Sequence, residues 1–366
     1  MRVAMVDPSA FTLPYDHALS MALARAGADV ELVTSRFAYG EAPAPSGYVL
    51  RQHFYRHAWG RAGSRLRRAT KLAEHTPDML RLRAAAARDV DVVHFQWLAV
   101  PWLDAALLPH RPVVLTAHDL LPREPRPGQA AAQRRAFDRA AALVVHSAYG
   151  RRQLVDQLGV PAAKVHVIHH GAFTHLAQLP SAPLPGELAA VEKPVVLFFG
   201  LLRPYKGIET LLSAWREVSD AELWIVGRPR MDLAPLRAVA GPAVRFVPRF
   251  VPDAELPALF RRANLVVLPY ARTERFDFSG VLATALAFGK AIILSDVGGL
   301  GEVAAEGAAR LVVPDDPAAL HEAMTELLAD PAARERLEAA ALAAARGPYS
   351  WEAAAEATLD VYGAVS

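Results

Sequence analysis

Two cations three residues apart, Arg203 and Lys206, stand between glycines in the stretch Gly200-Leu201-Leu202-Arg203-Pro204-Tyr205-Lys206-Gly207. An apolar run over 195–200 precedes them and a helical stretch over 208–218 follows. The start of a helix attracts anions through its free amides and its dipole. Two added cations suit the place to a diphosphate, each charge-assisted hydrogen bond contributing on the order of 1.5–3 kcal/mol. The glycines on either side let backbone come close to a ligand. A second loop, Arg275-Phe276-Asp277-Phe278-Ser279-Gly280, opens a helix over 281–288 that stops at Gly289-Lys290. Ser279 either caps this helix or joins the amides of Gly280 and Val281 in holding a phosphate or a sugar hydroxyl. Thr284 lies four residues after Gly280, on the same helical face. For each loop a plainer reading stands beside this one: solvated cations in the first, a simple cap in the second.

Candidates in the first half are more scattered. Tyr15-Asp16-His17 begins a helix running to Gly27, where Asp16 fits either a charge at a helix start or a base. His94 and Trp97 follow a strand; an aromatic plate suits a sugar ring, and core packing suits Trp97 equally well. His169-His170 reads as structural. From Arg51 to Val90 there are ten basic residues against three acidic ones. This is either a solvated helical face or a patch for anionic lipid headgroups or a phosphorylated acceptor.

Other chemistries find no support. The turn after the first apolar run reads Asp7-Pro8-Ser9-Ala10-Phe11-Thr12, without a Gly-x-Gly-x-x-Gly fingerprint, and Gly289-Lys290 lacks the rest of a phosphate loop. With no cysteine, disulfide scaffolds, zinc–cysteine sites and cysteine nucleophiles are excluded. The 13 histidines show no metal-ligand spacing, so no metal is expected. A formal charge of +2 argues against nucleic acid as a partner. Neither an export signal nor a membrane-spanning run is visible, and the expected location is the cytoplasm, with peripheral membrane association through 51–90.

The elements that must position these residues are legible. A length of 366 residues and 53% hydrophobic content fit two well-filled domains. Short apolar runs at 3–6, 30–34, 92–95, 113–117, 143–146, 165–168, 195–200, 222–226, 244–247, 265–269, 291–295 and 309–313 alternate with helical stretches. Continuous rather than alternating apolar residues mark strands buried on both faces, hence parallel α/β sheets. The proline-rich segment 179–194 is the expected linker between domains at 1–178 and 195–349. Ligands of such sheets sit at the carboxyl ends of strands, which directs attention to the strand-to-helix loops.

The residues of 200–207, 246–256, 265–269, 280–290 and Ser295-Asp296-Val297-Gly298-Gly299 together resemble retaining GT-B glycosyltransferases of family 4, which carry a Gly-x-Leu-x-x-x-Lys-Gly loop. The first half resembles them more loosely, through Asp91-Val92-Val93-His94, Thr116-Ala117-His118-Asp119, Val144-Val145-His146-Ser147 and 165–171. The final segment from Tyr349-Ser350-Trp351-Glu352 is similar to the helix that crosses back to the first domain, 350–366 here. The resemblance implies two Rossmann-like domains facing a cleft, a nucleotide diphosphate sugar on the second, a hydroxyl acceptor on the first, and no cofactor or metal. It implies that Arg203 and Lys206 neutralise the leaving diphosphate, that Ser279, Gly280 and Val281 face phosphate or sugar, that His118 is the cleft histidine, and that Phe250 and Val251 flank the base. One departure is plain. With Gly289-Lys290 aligned to the family pattern, the two glutamates of its Glu-x7-Glu motif fall on Phe276 and Thr284; Asp277 or Glu274 is the substitute at hand. The missing carboxylates keep open a catalytically silent homologue that binds a partner, and a nucleotide-sugar epimerase is the alternative within enzymes.

Overall fold

The structure, a computed structural model, describes residues 1–38, 42–60, 64–120, 127–273 and 277–366. Glu274, Arg275, Phe276 and, in the basic segment, Arg61 lie outside the described residues. Two compact units are present, Met1–Gly171 with Trp351–Ser366, and Ala172–Ser350.

The first unit is built on seven parallel strands: β1 (Arg2–Asp7), β2 (Asp29–Ser35), β3 (Val49–Phe54), β4 (Val92–Phe95), β5 (Val113–Thr116), β6 (Ala142–Val145) and β7 (Val165–Val167). They lie side by side as β3-β2-β1-β4-β5-β6-β7. The second holds six: β8 (Val195–Phe199), β9 (Glu222–Val226), β10 (Val244–Val247), β11 (Leu265–Leu268), β12 (Ala291–Ser295) and β13 (Arg310–Val312), ordered β10-β9-β8-β11-β12-β13. Every residue of β4, β5, β6, β11 and β12 is buried, as strands covered on both faces by helices must be. β3 has no counterpart among the apolar runs. Its sequence Val-Leu-Arg-Gln-His-Phe is polar because it forms the edge of its sheet, with only its last two residues buried.

Strand order reverses between β1 and β4 in one unit and between β8 and β11 in the other. Loops leaving the carboxyl ends of those strands frame the crevice where an open α/β sheet takes its ligand. The loop with Arg203 and Lys206 leaves β8, and the loop with Asp277 and Ser279 leaves β11.

The segment 179–194 is not a free linker; it lies within the second unit. It holds one short helix, Gly186–Ala189, and two arginines of the helix Leu256–Arg262 donate to carbonyls in it and just before it. Arg261 donates to Ala177 O at 2.8 Å and Leu179 O at 3.0 Å, Arg262 to Val191 O at 2.8 Å and Lys193 O at 2.6 Å. The chain divides between Gly171 and Ala172, and the last helix, Trp351–Val365, belongs to the first unit. There the Trp351 ring covers Gly171, where a Cβ would stand 2.3 Å from Trp351 Cδ2.

Candidate functional site

In the second unit the two loops are locked together. Gly207, at φ +70°, lets the turn pass so near β11 that a Cβ there would lie 1.7 Å from Pro269 O. Ala271 N donates to Tyr205 O at 2.9 Å across the same junction. The Arg203 loop is held on its other side by Leu202, whose N donates to Arg228 O at 3.0 Å and whose O accepts from Arg230 N at 2.9 Å. Lys206 is therefore no solvated cation. It is buried, its Nζ donates to the Tyr270 hydroxyl, and it sits 3.8 Å from that ring's centroid. Tyr270 in turn lies 2.9 Å, hydroxyl to hydroxyl, from Ser279. The Tyr270 hydroxyl thus joins Lys206 to Ser279, its oxygen accepting from the ammonium while either hydroxyl can donate to the other. Arg203 is half-buried, with its Nε inaccessible to water and without a hydrogen-bond partner. An unsatisfied buried N–H on a cation is costly and is relieved by an anion.

The helix Gly280–Ala287 starts without any side-chain cap. Ser279, expected as a cap or a ligand group, thus makes no cap bond, and the first amides of the helix are left to other acceptors. Thr284 spends its hydroxyl on Gly280 O at 2.9 Å. Asp277 is buried. Gly280 is exposed, with space where a Cβ would stand. Gly200, at φ +119°, closes β8 next to Val281. Phe250 is exposed on the segment after β10, whereas Val251 is buried and so contributes packing.

The acceptor-side expectations fare unevenly. Tyr15, Asp16 and His94 are buried in the first unit, and of the four only Trp97 keeps surface. Trp97 stacks on His118 with ring centroids 5.2 Å apart and its Nε1 donates to Thr12 Oγ1 at 2.9 Å, bridging the loops after β4 and β1. Asp16 is fully buried, accepts from Thr12 Oγ1 at 3.2 Å and faces a second carboxyl group, Asp7, at the end of β1. Asp7 accepts backbone N–H bonds from Ser9 at 3.1 Å and Thr12 at 3.0 Å, and one from Phe11. Burial, then the neighbouring Asp7 charge, push Asp16 well above the carboxylate range. Burial raises Asp7 as well, against the amides of Thr12, Ser9 and Phe11, which lower it.

Four histidines cluster, of which the sequence had offered His94 and His118 as site residues and His170 as structural. His94, His118, His146 and His170 sit in or just after β4, β5, β6 and β7, and Tyr15 sets its ring against the last three at 4.8, 5.4 and 4.9 Å. His94 Nδ1 is 2.6 Å from the Tyr362 hydroxyl and its Nε2 is 2.7 Å from Thr116 Oγ1. His170 Nδ1 donates to Gly171 O at 2.8 Å. Burial, and after it mutual repulsion, lowers His94 and His170 to about 3; burial brings His146 to about 4. His118 falls well below its ordinary value for the same reasons. All four are neutral at physiological pH. Among the described residues no three His, Asp or Glu side chains are arranged to hold a metal ion.

Tyr270 and Gln96 went unread in the sequence, while Asp7 stood there only as part of a turn and His146 only as part of a matching motif, neither with a role. The signal for the histidines was their recurrence at the ends of four successive strands; nothing local marked Tyr270.

His118, Gln96 and Trp97 line a pocket of about 200 Å³ in the first unit. A larger one of about 710 Å³ is lined by Ser9, Tyr55, Arg68, Lys71, Leu72 and Trp102 among others.

Comparison with known proteins bears on both units. A D-inositol 3-phosphate glycosyltransferase of Kineococcus radiotolerans is 30% identical over 94% of this chain and 88% of its own length. An alpha-maltose-1-phosphate synthase of Mycolicibacterium smegmatis is 28% identical over 72% of the chain and 75% of its own length. Among solved structures, the sucrose-phosphate synthase of Thermosynechococcus elongatus superposes with a TM-score of 0.75 at 22% identity, covering 100% of this chain and 98% of that one. Anabaena HepE in complex with UDP-glucose gives 0.74 at 18% identity over the full length of both. These are GT-B folds, two Rossmann-like units with parallel sheets. Residues 193–330 match the model for glycosyl transferases group 1 and residues 16–175 that for glycosyltransferase family 4, and with the relative at 30% identity they make this chain a member of that glycosyltransferase family.

Proposed function

We propose that the protein moves a glycosyl group, with retention, from a nucleoside diphosphate sugar to a hydroxyl of an anionic acceptor. The observation that carries this is the tie between the two loops of the second unit: Lys206 bound to Tyr270, Tyr270 bound to Ser279, and Arg203 with an unsatisfied Nε beside them. In the reaction the bond from anomeric carbon to phosphate oxygen breaks, the acceptor oxygen bonds that carbon, and the acceptor's proton passes to a phosphate oxygen. Negative charge grows on the departing diphosphate, and on this reading Arg203, Lys206 and the open amides of the helix Gly280–Ala287 stabilise it. No side-chain nucleophile or metal is needed. Exposed Phe250 flanks the base, and His118 stands beside the transferred sugar.

An anionic acceptor is supported by the 710 Å³ pocket, whose lining combines Arg68 and Lys71 with the apolar Leu72 and Trp102. HepE, solved with UDP-glucose, and the inositol phosphate glycosyltransferases, named for a phosphorylated alcohol, are consistent with both substrates. The helix Arg65–Asp89 exposes Leu66, Leu72 and Leu80 next to basic residues, and Trp102 is also exposed, a pattern suited to the surface of an anionic membrane. Among the described residues no helix is long and apolar enough to cross one. Arg68→Glu with Lys71→Glu should abolish sedimentation with phosphatidylglycerol vesicles at low salt, and wild-type protein that never sediments refutes the membrane reading.

The principal test is a thermal-shift screen of UDP-, GDP- and dTDP-sugars, followed by turnover with the donor that binds. Lys206→Ala should lower kcat/KM by about two orders of magnitude or more with the fold intact. Full turnover in that variant refutes the assignment. Wild-type protein that binds no sugar nucleotide points to a silent homologue, and conversion of the donor without acceptor points to an epimerase.

A further inference from the structure

Next to the 710 Å³ cavity of the first unit runs a buried line of polar groups that the proposed reaction does not use. Asp104 and His75 are fully buried, and His75 Nε2 bonds Asp104 Oδ1. The other carboxylate oxygen accepts from Val100 N at 2.8 Å, at the start of the helix Pro101–Leu107. On its opposite side His75 Nδ1 lies 2.8 Å from the Tyr55 hydroxyl. Every side-chain polar atom of the pair is thereby engaged inside the protein, so neither residue is placed to hold a ligand itself. Tyr55, by contrast, lines the cavity together with Arg68 and Lys71.

Three ties hold Tyr55 in a strained conformation. It follows β3 at φ +57°, a left-handed backbone that a bulky aromatic residue rarely adopts. Its N–H donates to Asp78 Oδ2 at 2.9 Å, its hydroxyl meets His75, and Lys71 Nζ stands 4.7 Å from its ring centroid. Burial, and then the Asp104 charge, raise the hydroxyl above its ordinary range, so it keeps its proton. Strain of this kind survives only where neighbours over-determine it, and a buried His–Asp pair adds little stability over apolar side chains of equal volume. What the arrangement achieves is the placement of Lys71. Arg68, Lys71, Leu72 and His75 recur at i, i+3, i+4 and i+7 along the helix Arg65–Asp89, so the two cations and the histidine share a face. Among the described residues Lys71 meets no carboxylate and no Asp or Glu lines the cavity; burial, and then Arg67, lower the lysine's hold on its proton. An aromatic ring steadies an ammonium without neutralising it, which leaves the charge for an anion.

We infer that His75 is a positioning residue: anchored on Asp104, it fixes the Tyr55 ring against the Lys71 ammonium and so presents Lys71 and Arg68 to a phosphate monoester in the cavity. Two cations on one face suit a doubly charged phosphate, and Leu72 and Trp102 suit the apolar part of the molecule that carries it. That this monoester is the acceptor rests on the proposed function; the placement of Lys71 does not.

The full chain carrying lysine labelled with 13C at Cε tests this by NMR at pH 7. The sequence holds five lysines, and the Lys71 signal is the one lost in Lys71→Gln. Inorganic phosphate should shift that signal to saturation. Lys206, in the other unit, has its own signal, so phosphate held by the donor loops is seen apart. Tyr55→Phe keeps the ring but loses the tie to His75, and should weaken phosphate at Lys71 several-fold. Glutamine sets its amide near the Nε2 of a histidine it replaces, asparagine near the Nδ1. His75→Gln, which serves only Asp104, should therefore lose several-fold, and His75→Asn, which serves Tyr55, should lose less. A merely stabilising histidine would shift the unfolding midpoint in both variants and leave the phosphate affinity of the folded chain alone. A wild-type Lys71 signal that phosphate does not move overturns the inference, as does wild-type affinity in Tyr55→Phe or equal affinity in the two His75 variants. Should the His75 variants fail to fold, Tyr55→Phe decides. Glycerol 1-phosphate and vesicles of phosphatidic acid tell a soluble monoester from a lipid headgroup: the one that moves the Lys71 signal at the lower phosphate concentration is the kind the cavity takes. Phosphate bound at Lys71 in a chain that turns over no sugar nucleotide leaves the inference standing and removes only glycosyl transfer.

Discussion

Lys206 shows how burial changes what a charge can do. On a solvated loop an ammonium is screened and mobile; here it is caged by Tyr270 and tied through it to Ser279, so its position is fixed before any ligand arrives. Such preorganisation is what makes a cation effective against charge that develops only in the transition state. The same burial works in the opposite sense on Asp16. Its folded-state affinity for a proton is raised, so as pH rises above about 4 the unfolded chain releases a proton that the folded chain keeps, and stability falls. Asp16→Asn has no proton to lose and should be more stable than wild type at pH 8, with an advantage that shrinks toward pH 4. Equal unfolding midpoints for the two proteins at pH 8 and pH 4 would show that Asp16 ionises freely in the folded state.

At the level of elements, the site is a property of two loops and the strands they leave. β8 and β11 are neighbours at the reversal of strand order, so residues 203–206 and 277–280 meet although long stretches of chain separate them. Gly207 is the hinge pin of that meeting. A side chain there would occupy a left-handed conformation, costing about 1–3 kcal/mol by itself, and would collide with the backbone oxygen of Pro269. Gly207→Ala should therefore destabilise the second unit by at least about 2 kcal/mol and weaken nucleotide binding along with it. Unaltered urea unfolding of the variant would mean the loops have room to separate. The glycines and the cation pair were readable because a strand end, a turn and a helix start are local features. β3 was not, since an edge strand needs only one apolar face and can be written in polar residues.

For the whole molecule, pH acts mainly through the histidines. In the folded chain His94, His146 and His170 protonate near 3 to 4, and His118 also well below its ordinary value, whereas unfolded histidine does so near 6.5. As pH falls below about 6.5 the unfolded state gains protons that the folded state refuses, and each group costs up to about 1.4 kcal/mol per pH unit. Asp16 opposes this, but it is outnumbered. The unfolding midpoint should fall steadily between pH 6 and pH 4.5, less steeply in His170→Asn; a midpoint that holds level there would mean the cluster is charged when folded. By itself the sequence determined two parallel α/β sheets and a loop bearing two cations, because continuous apolar runs are stable only when covered on both faces and because turn, glycine and helix start lie within ten residues of one another. Tertiary structure alone decided that Lys206 is buried against a tyrosine 64 residues away, that His94 meets Tyr362 across 268 residues, that two arginines hold the supposed linker inside the second unit, and that four histidines form one cluster. Such contacts arise from strand order and leave no period in the chain from which they could be read.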